Sequence, residues 1–203
     1  ETLTQDGFDA VFLGIGAWKN YRLNVEGEEL EGCYTGIDFL SRVGLGEPVP
    51  IGRRCAVIGG GNTAMDAART ARRLGGRVTI VYRRTQAEMP AEEEELRDFF
   101  DEGNELIELA SPEEVVLEVG RMVALKCVRN ELGEPGPDGR RRPVPIPGSE
   151  FQIKASALIL AIGQKPDLGF LDGAGLTFHQ DGRVYTDPAT RATEQARVLP
   201  AAT

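Results

Sequence analysis

Apolar residues fall along this chain in short blocks that alternate with glycine-rich or charged stretches. Phe8-Asp9-Ala10-Val11-Phe12-Leu13-Gly14-Ile15-Gly16-Ala17 reads as a buried strand ending in a glycine turn. Residues 18–52 read as a connector. In it Trp18 to Val25 is irregular, Thr35 to Val43 is a short helix, and Gly44, Gly46, Pro48 and Pro50 mark a loop. The apolar run 55–58 predicts a strand. A helix follows from about Asn62 to Leu74, with Ala64, Ala67, Ala68 and Ala71 at helical spacing and Gly75-Gly76 ending it. Strand 78–82 comes next. Met89-Pro90-Ala91, followed by Glu92 to Glu95, predicts a helix start, because proline suits a first turn and carboxylates suit the positive end of a helix dipole. Gly103 closes that helix. Residues 105–109, 114–119, 122–129 and 151–154 read as strands, with a tight turn at Gly120-Arg121 and a long Gly-, Pro- and Arg-rich hairpin from Glu131 to Ser149. A last strand, 157–162, closes the unit. Its sequence, Ser156-Ala157-Leu158-Ile159-Leu160-Ala161-Ile162-Gly163, echoes the strand at 9–16, which suggests two related nucleotide-binding units.

The resulting order is β-α-β-α-β, an antiparallel meander, then a final β. It predicts an α/β fold: a Rossmann-like dinucleotide-binding domain, parallel sheet with antiparallel insertion, of the flavoprotein type.

Composition narrows the partners. The chain has 203 residues, 41% hydrophobic and 27% charged, with a net charge of −9. That balance fits an ordinary globular domain and argues against nucleic acid or an anionic membrane surface as a partner. No apolar run approaches the roughly 20 residues that span a bilayer. Cys33, Cys55 and Cys127 are odd in number and contain no Cys-x-x-Cys, which points to a reducing compartment, the cytoplasm, and away from a disulfide framework or a metal cluster held by these residues. His179 sits in a polar loop without a ligand-spaced partner. No metal ligand and no catalytic acid, base or nucleophile is assigned.

The chemistry concentrates at Gly59-Gly60-Gly61-Asn62-Thr63-Ala64, a G-x-G-x-x-G/A turn between strand and helix. Gly59 permits the tight turn, Gly61 lets backbone approach a pyrophosphate, and Ala64 keeps helix and strand close. The N–H groups from about Asn62 to Met65 then face the phosphates. About two dozen residues after Gly59, where an NAD enzyme carries an acid, stand Tyr82, Arg83 and Arg84. Two cations there read as a clamp for the 2′-phosphate of NADPH, Arg83 before Arg84, or else as a solvated pair. Ala161-Ile162-Gly163, at the end of the closing strand, reads as an approach for a nicotinamide ribose or a flavin, or as an ordinary turn. Gly16-Ala17 holds the matching place in the first copy. Arg140-Arg141-Arg142 reads as a solvated hairpin tip, or as a docking contact for a partner subunit.

These residues resemble a known family. The run Gly59 to Thr70, Val81-Tyr82-Arg83-Arg84 and Glu88-Met89-Pro90-Ala91 are similar to the NADPH motif of glutamate synthase small (beta) subunits. Leu132-Gly133-Glu134-Pro135, then Gly139-Arg140-Arg141-Arg142-Pro143-Val144-Pro145-Ile146-Pro147-Gly148-Ser149-Glu150-Phe151, resembles a segment characteristic of that family and its relatives. The likeness runs over residues 8 to 190. It implies an NADPH domain inserted into the sequence of an FAD domain, hydride passing from NADPH to FAD, and electrons moving through 4Fe-4S clusters to a partner, the large glutamate synthase subunit or another electron-acceptor subunit. The first FAD fingerprint and the acidic FAD motif expected after Thr186-Asp187-Pro188 are not found, and no cysteine-rich region is present. The expectation is therefore a central segment: residues 1–27 and 166–203 belong to the FAD domain, and 28–165 form the NADPH-binding domain. FAD would be bound mostly, and the clusters wholly, outside this chain. Alternatives are the NADPH-side subunit of a ferredoxin-dependent transhydrogenase and a non-catalytic NADPH-binding regulatory module. A disulfide reductase of the same two-nucleotide plan is disfavoured by the missing cysteine pair.

Overall fold

The computed structural model describes residues 6–136, 139–179, 183–195 and 197–200. They form two compact units, one from residues 1–21 with 164–203, the other from 22–163.

The larger unit begins with β3 (Cys33–Thr35), after the short strands β1 (Val11–Leu13) and β2 (Lys19–Asn20) of the smaller one. It continues with α1 (Gly36–Gly44), β4 (Arg54–Ile58), α2 (Asn62–Arg73), β5 (Arg77–Val81), α3 (Glu93–Asp101) and β6 (Glu105–Ile107). The insertion is β7 (Ala110–Glu118), β8 (Arg121–Pro135), β9 (Arg141–Pro145) and β10 (Phe151–Lys154), and β11 (Ala157–Leu160) returns to the first sheet. That sheet has the order β3-β11-β4-β5-β6, and all its pairs are parallel. The insertion is a four-stranded antiparallel sheet in which β8 pairs with β7, β9 and β10.

Both faces of the parallel sheet are covered, which is why β4 and β11 read as unbroken apolar runs rather than alternating ones. On one face Cys55, Val57 and Ile159 pack with Phe39, Met65 and Phe99 from the helices. On the other, Ala56, Ile58 and Leu158 pack with Val115, Leu125 and Cys127 of the antiparallel sheet. Ala64, Ala67, Ala68 and Ala71 are fully buried, so α2 lies close on the strands. Its outer side is locked to α3 by Arg69, which meets Glu95, Asp98 and Glu102 at 2.8 Å each.

In the smaller unit β1 pairs in parallel with β13 (Val198–Pro200), and β2 pairs antiparallel with β12 (Gln164–Lys165). Among the described residues no helix is long and apolar enough to cross a membrane.

Several expectations need correction. The stretch 8–17 contributes only a three-residue strand. It has one partner, and Phe12 stands 68% exposed on this ribbon. The connector 18–52 hides β3, the edge of the parallel sheet, whose three residues are too few to show a period. The helix begins at Glu93 rather than Pro90, because a 3₁₀ turn at Gln86–Glu88, closed by a Thr85–Glu88 capping box, uses the preceding residues. The turn before β8 is Val119-Gly120, at φ 51° and 73°, and Arg121 already belongs to the strand. The compact units divide near residues 21 and 163. Glu28 accepts the amides of Leu23 and Asn24, and the amide of Val115 donates to Glu26, which ties 22–28 into the larger unit.

Candidate functional site

The three glycines after β4 do different work. Gly59 holds φ 143°, and a Cβ there would sit 2.9 Å from the carbonyl carbon of Ala161 and closer still to its oxygen. Gly60 lies under the ring of Tyr82, whose Cε2 would be 2.5 Å from an added Cβ. Both are glycine because protein atoms fill the space. Gly61 is different. Its backbone is ordinary and extended, φ −98° and ψ 178°, and the nearest atom to an added Cβ is Pro90 Cγ at 3.8 Å. Among the described residues beyond its chain neighbours and helix, no other atom comes within 4 Å of that added Cβ.

Gly61 is also the N-cap of α2, without a side-chain cap and without an acid in the first turn. Its carbonyl accepts the amides of Ala64 and Met65. The expected fan of amides from Asn62 to Met65 therefore narrows to Asn62 and Thr63, the first two N–H groups of the helix, which have no intrahelical acceptor. The Asn62 side chain is engaged elsewhere: its Oδ1 accepts the Glu92 amide at 3.0 Å and ties down the start of α3. An uncapped helix N-terminus beside an open glycine is a built place for a phosphate.

At the end of β5, Tyr82 is buried and its hydroxyl donates to the Glu88 carbonyl at 2.9 Å. It fills the first position after β5 with a hydroxyl already engaged by the backbone. Arg83 is exposed. Arg84 is only 6% exposed, and its Nε donates to the Arg141 carbonyl at 2.6 Å. The two adjacent arginines therefore differ in setting: Arg84 is buried with its Nε on the β9 hairpin, while Arg83 is exposed. Ala161 abuts Gly59 and its amide donates to Ile58 at 2.8 Å, while Ile162 packs on the antiparallel-sheet core and Gly163 follows at φ 109°. So Gly59, Gly60, Gly61, Asn62, Thr63, Ala64, Ala161 and Ile162 gather at the carboxyl ends of the parallel strands, with Arg83 at the end of β5. Gly16 and Ala17 belong to the smaller unit. There, with Ile15, Tyr21, Leu168 and Tyr185, they line a cavity of about 880 Å³.

Two further residues shape the site and were not read from sequence. Gly36, at the start of α1, would clash with Thr63 Cγ2 at 2.9 Å if it carried a Cβ, so its smallness sets the approach of α1 to the glycine turn. Asn130 reaches the Arg83 carbonyl from β8. No local pattern signals either contact, since both join residues far apart in the chain.

No thiol joins this chemistry. Cys33, Cys55 and Cys127 are free, and burial pushes their thiols up, to about 11 for Cys33, helped by Glu28 and Glu29, and to about 12 for the other two. Among the described residues no group of His, Cys, Asp and Glu could hold a metal ion. His179 is exposed and stacks near Tyr185.

Comparison with known proteins gives the family and the fold. The chain is 44% identical over 193 residues to the NADP(+)-dependent formate dehydrogenase subunit beta of Moorella thermoacetica, covering 93% of this chain and 27% of that protein. It is 36% identical over 193 residues to the glutamate synthase [NADPH] small chain of Escherichia coli, covering 87% and 40%. The chain thus spans well under half the length of these curated relatives. Among solved structures, Mycobacterium tuberculosis FprA in complex with NADPH superposes with a TM-score of 0.79 at 20% identity, over 99% of this chain and 59% of that one. Thioredoxin reductase of T. acidophilum follows at 0.69 and 20%, over 95% and 56%. These two likenesses establish the fold. The profile of the pyridine nucleotide-disulphide oxidoreductases matches residues 2–198, and with the parallel sheet and glycine turn in place the chain belongs to that family.

Proposed function

We propose that this chain is the NADPH-binding part of an oxidoreductase of the glutamate synthase small-subunit type. It holds NADPH so that hydride passes to an FAD, from which electrons leave through 4Fe-4S clusters to a partner subunit. The observation that carries the proposal is the contrast within one turn: Gly59 and Gly60 are packed by protein, while Gly61 is open beside the uncapped amides of Asn62 and Thr63. That is where a dinucleotide pyrophosphate fits. Gly59, Gly60 and Ala64 shape the turn. Ala161, Ile162 and Gly163 border the nicotinamide side, and Gly16 and Ala17 border the flavin in the smaller unit. FAD would supply the hydride acceptor, bound mostly by parts of the protein beyond this chain, and the clusters would lie wholly beyond it.

NADPH rather than NADH is favoured by Arg83, exposed at the end of β5, and by Tyr82, which offers no carboxylate to a ribose diol. The relatives' names, which include NADP(+) and NADPH, point the same way. A guanidinium on the 2′-phosphate makes a charge-assisted bond worth about 1.5–3 kcal/mol, roughly a 10- to 100-fold effect on affinity. Titration calorimetry of wild type and Arg83→Ala with NADPH and NADH tests this. The variant is expected to lose NADPH affinity by that factor and to keep its NADH affinity. An equal loss for both cofactors removes the assignment of Arg83, and no NADPH binding at millimolar concentration removes the function. In the full-length protein, NADPH-dependent dye reduction separates an electron-transfer role from a binding-only module.

A further inference from the structure

Besides the Ala110 amide on the Tyr82 carbonyl at 3.1 Å, the segment that ends β5 is held at three points, by β8, by the residue before β7 and by β9. Asn130, buried in β8, donates through Nδ2 to the Arg83 carbonyl at 3.0 Å and to Ser111 Oγ at 2.9 Å. The Leu109 amide donates to the Arg84 carbonyl at 3.0 Å, and the Asn130 amide donates to Leu109 at 2.7 Å. Arg84 Nε closes the third contact, on Arg141. Leu109 sits at φ 51°, a conformation a leucine holds only where its surroundings over-determine it.

Asn130, like Asn104, carries an unmet buried acceptor. Its Oδ1 is buried with no hydrogen-bond partner among the described residues. An orphaned buried acceptor is destabilising, and an apolar side chain of similar volume would avoid it. The contacts made by Nδ2 are what the amide offers in return, and one of them fixes the main chain of Arg83.

Resting on the reading of Arg83 as the 2′-phosphate ligand, we infer that Asn130 is a positioning residue for cofactor choice. By pinning the Arg83 carbonyl it removes backbone freedom from the residue whose guanidinium meets the phosphate. It thereby favours NADPH over NADH while touching neither. Ser111 anchors the amide from the other side. The antiparallel insertion is then part of the specificity device and not only the cover of one sheet face.

The test uses the full chain. Asn130→Leu and Ser111→Ala are made alone and in combination with Arg83→Ala, and dissociation constants for NADPH and NADH are measured together with melting temperatures. Asn130→Leu is expected to raise the NADPH constant about tenfold, the equivalent of one hydrogen bond, and to leave the NADH constant nearly unchanged. Ser111→Ala, the milder change, shifts the ratio in the same direction by less, and it decides the matter if Asn130→Leu fails to fold. In the Arg83→Ala background neither substitution alters the ratio, because the residue through which they act is gone. An unchanged NADPH-to-NADH ratio in Asn130→Leu and Ser111→Ala, with Arg83→Ala itself selective, overturns the inference, as does an effect that adds undiminished to Arg83→Ala. If Arg83→Ala is not selective, the underlying 2′-phosphate reading is what has failed, and the two failures are distinguishable.

Discussion

Replacing Gly61 and Gly59 by alanine, in parallel, separates a ligand cradle from a packed turn. At Gly61 the added methyl meets nothing nearer than 3.8 Å, and the backbone is already in a region open to alanine. Lower entropy of the unfolded chain stabilises such a change by about 0.4–1 kcal/mol. Alanine is a poorer N-cap than glycine by roughly the same amount. The two effects offset, so the melting temperature is expected to stay within about 2 °C of wild type. At Gly59 the backbone is strained for any side chain, about 1–3 kcal/mol. The overlap with Ala161 costs about 1–3 kcal/mol more. Together they predict a loss of at least about 2 kcal/mol and a drop of more than about 4 °C. Ligand binding should reverse the order of interest. A methyl at Gly61 enters the space assigned to the pyrophosphate and displaces it from the Asn62 or Thr63 amide, a loss of about 1.5–3 kcal/mol. Affinity for NADPH and for NADH should fall together by about 10- to 100-fold, since both carry the same pyrophosphate. Thermal unfolding followed by circular dichroism and titration calorimetry give the two readouts. Wild-type affinity for both cofactors in a folded Gly61→Ala chain would refute the cradle.

Other consequences follow from the same packing. Arg69→Ala leaves Glu95, Asp98 and Glu102 facing one another between α2 and α3, and should destabilise the chain by about 1–3 kcal/mol at neutral pH. In the wild type partial desolvation raises the Glu102 carboxyl, but hydrogen bonds and charge from Arg69 and Arg73 outweigh it and hold the group below its ordinary value. Its contribution is therefore present above the ordinary glutamate range, near pH 4.3, and is lost as pH falls through the depressed value; melts from pH 7 to 3 should show a shallower acid slope in Arg69→Ala. Cys55 and Cys127 should resist iodoacetamide in the native chain at pH 7, Cys33 should react slowly, and all three should label in denaturant; rapid native labelling would contradict the raised thiols. Val119 holds a left-handed conformation that suits asparagine in a two-residue hairpin, so Val119→Asn should raise the melting temperature, by about 2–4 °C for about 1 kcal/mol.

The likeness of this chain to the curated relatives covers 27–40% of their length.

Local patterns were legible wherever the physics is local. The apolar run into Gly59-Gly60-Gly61, the alanines of α2, the carboxylates of α3 and the meander between β6 and β11 follow from periodicity, turn chemistry and dipole, each set within a few residues. They fix the α/β class and place the glycine turn between β4 and α2. What separates Gly61 from Gly59 and Gly60 is not local. It depends on Ala161, a hundred residues away, and on Tyr82, which crosses over from β5. Arg83 and Arg84 are adjacent and chemically identical, yet one is exposed and the other is buried against β9, because β8 and β9 fold back on the end of β5. Sequence alone determined that a strand, a glycine turn and a pair of cations exist. Only the tertiary structure decided which glycine is open and which arginine is presented, since contacts between distant strands set the space around each side chain.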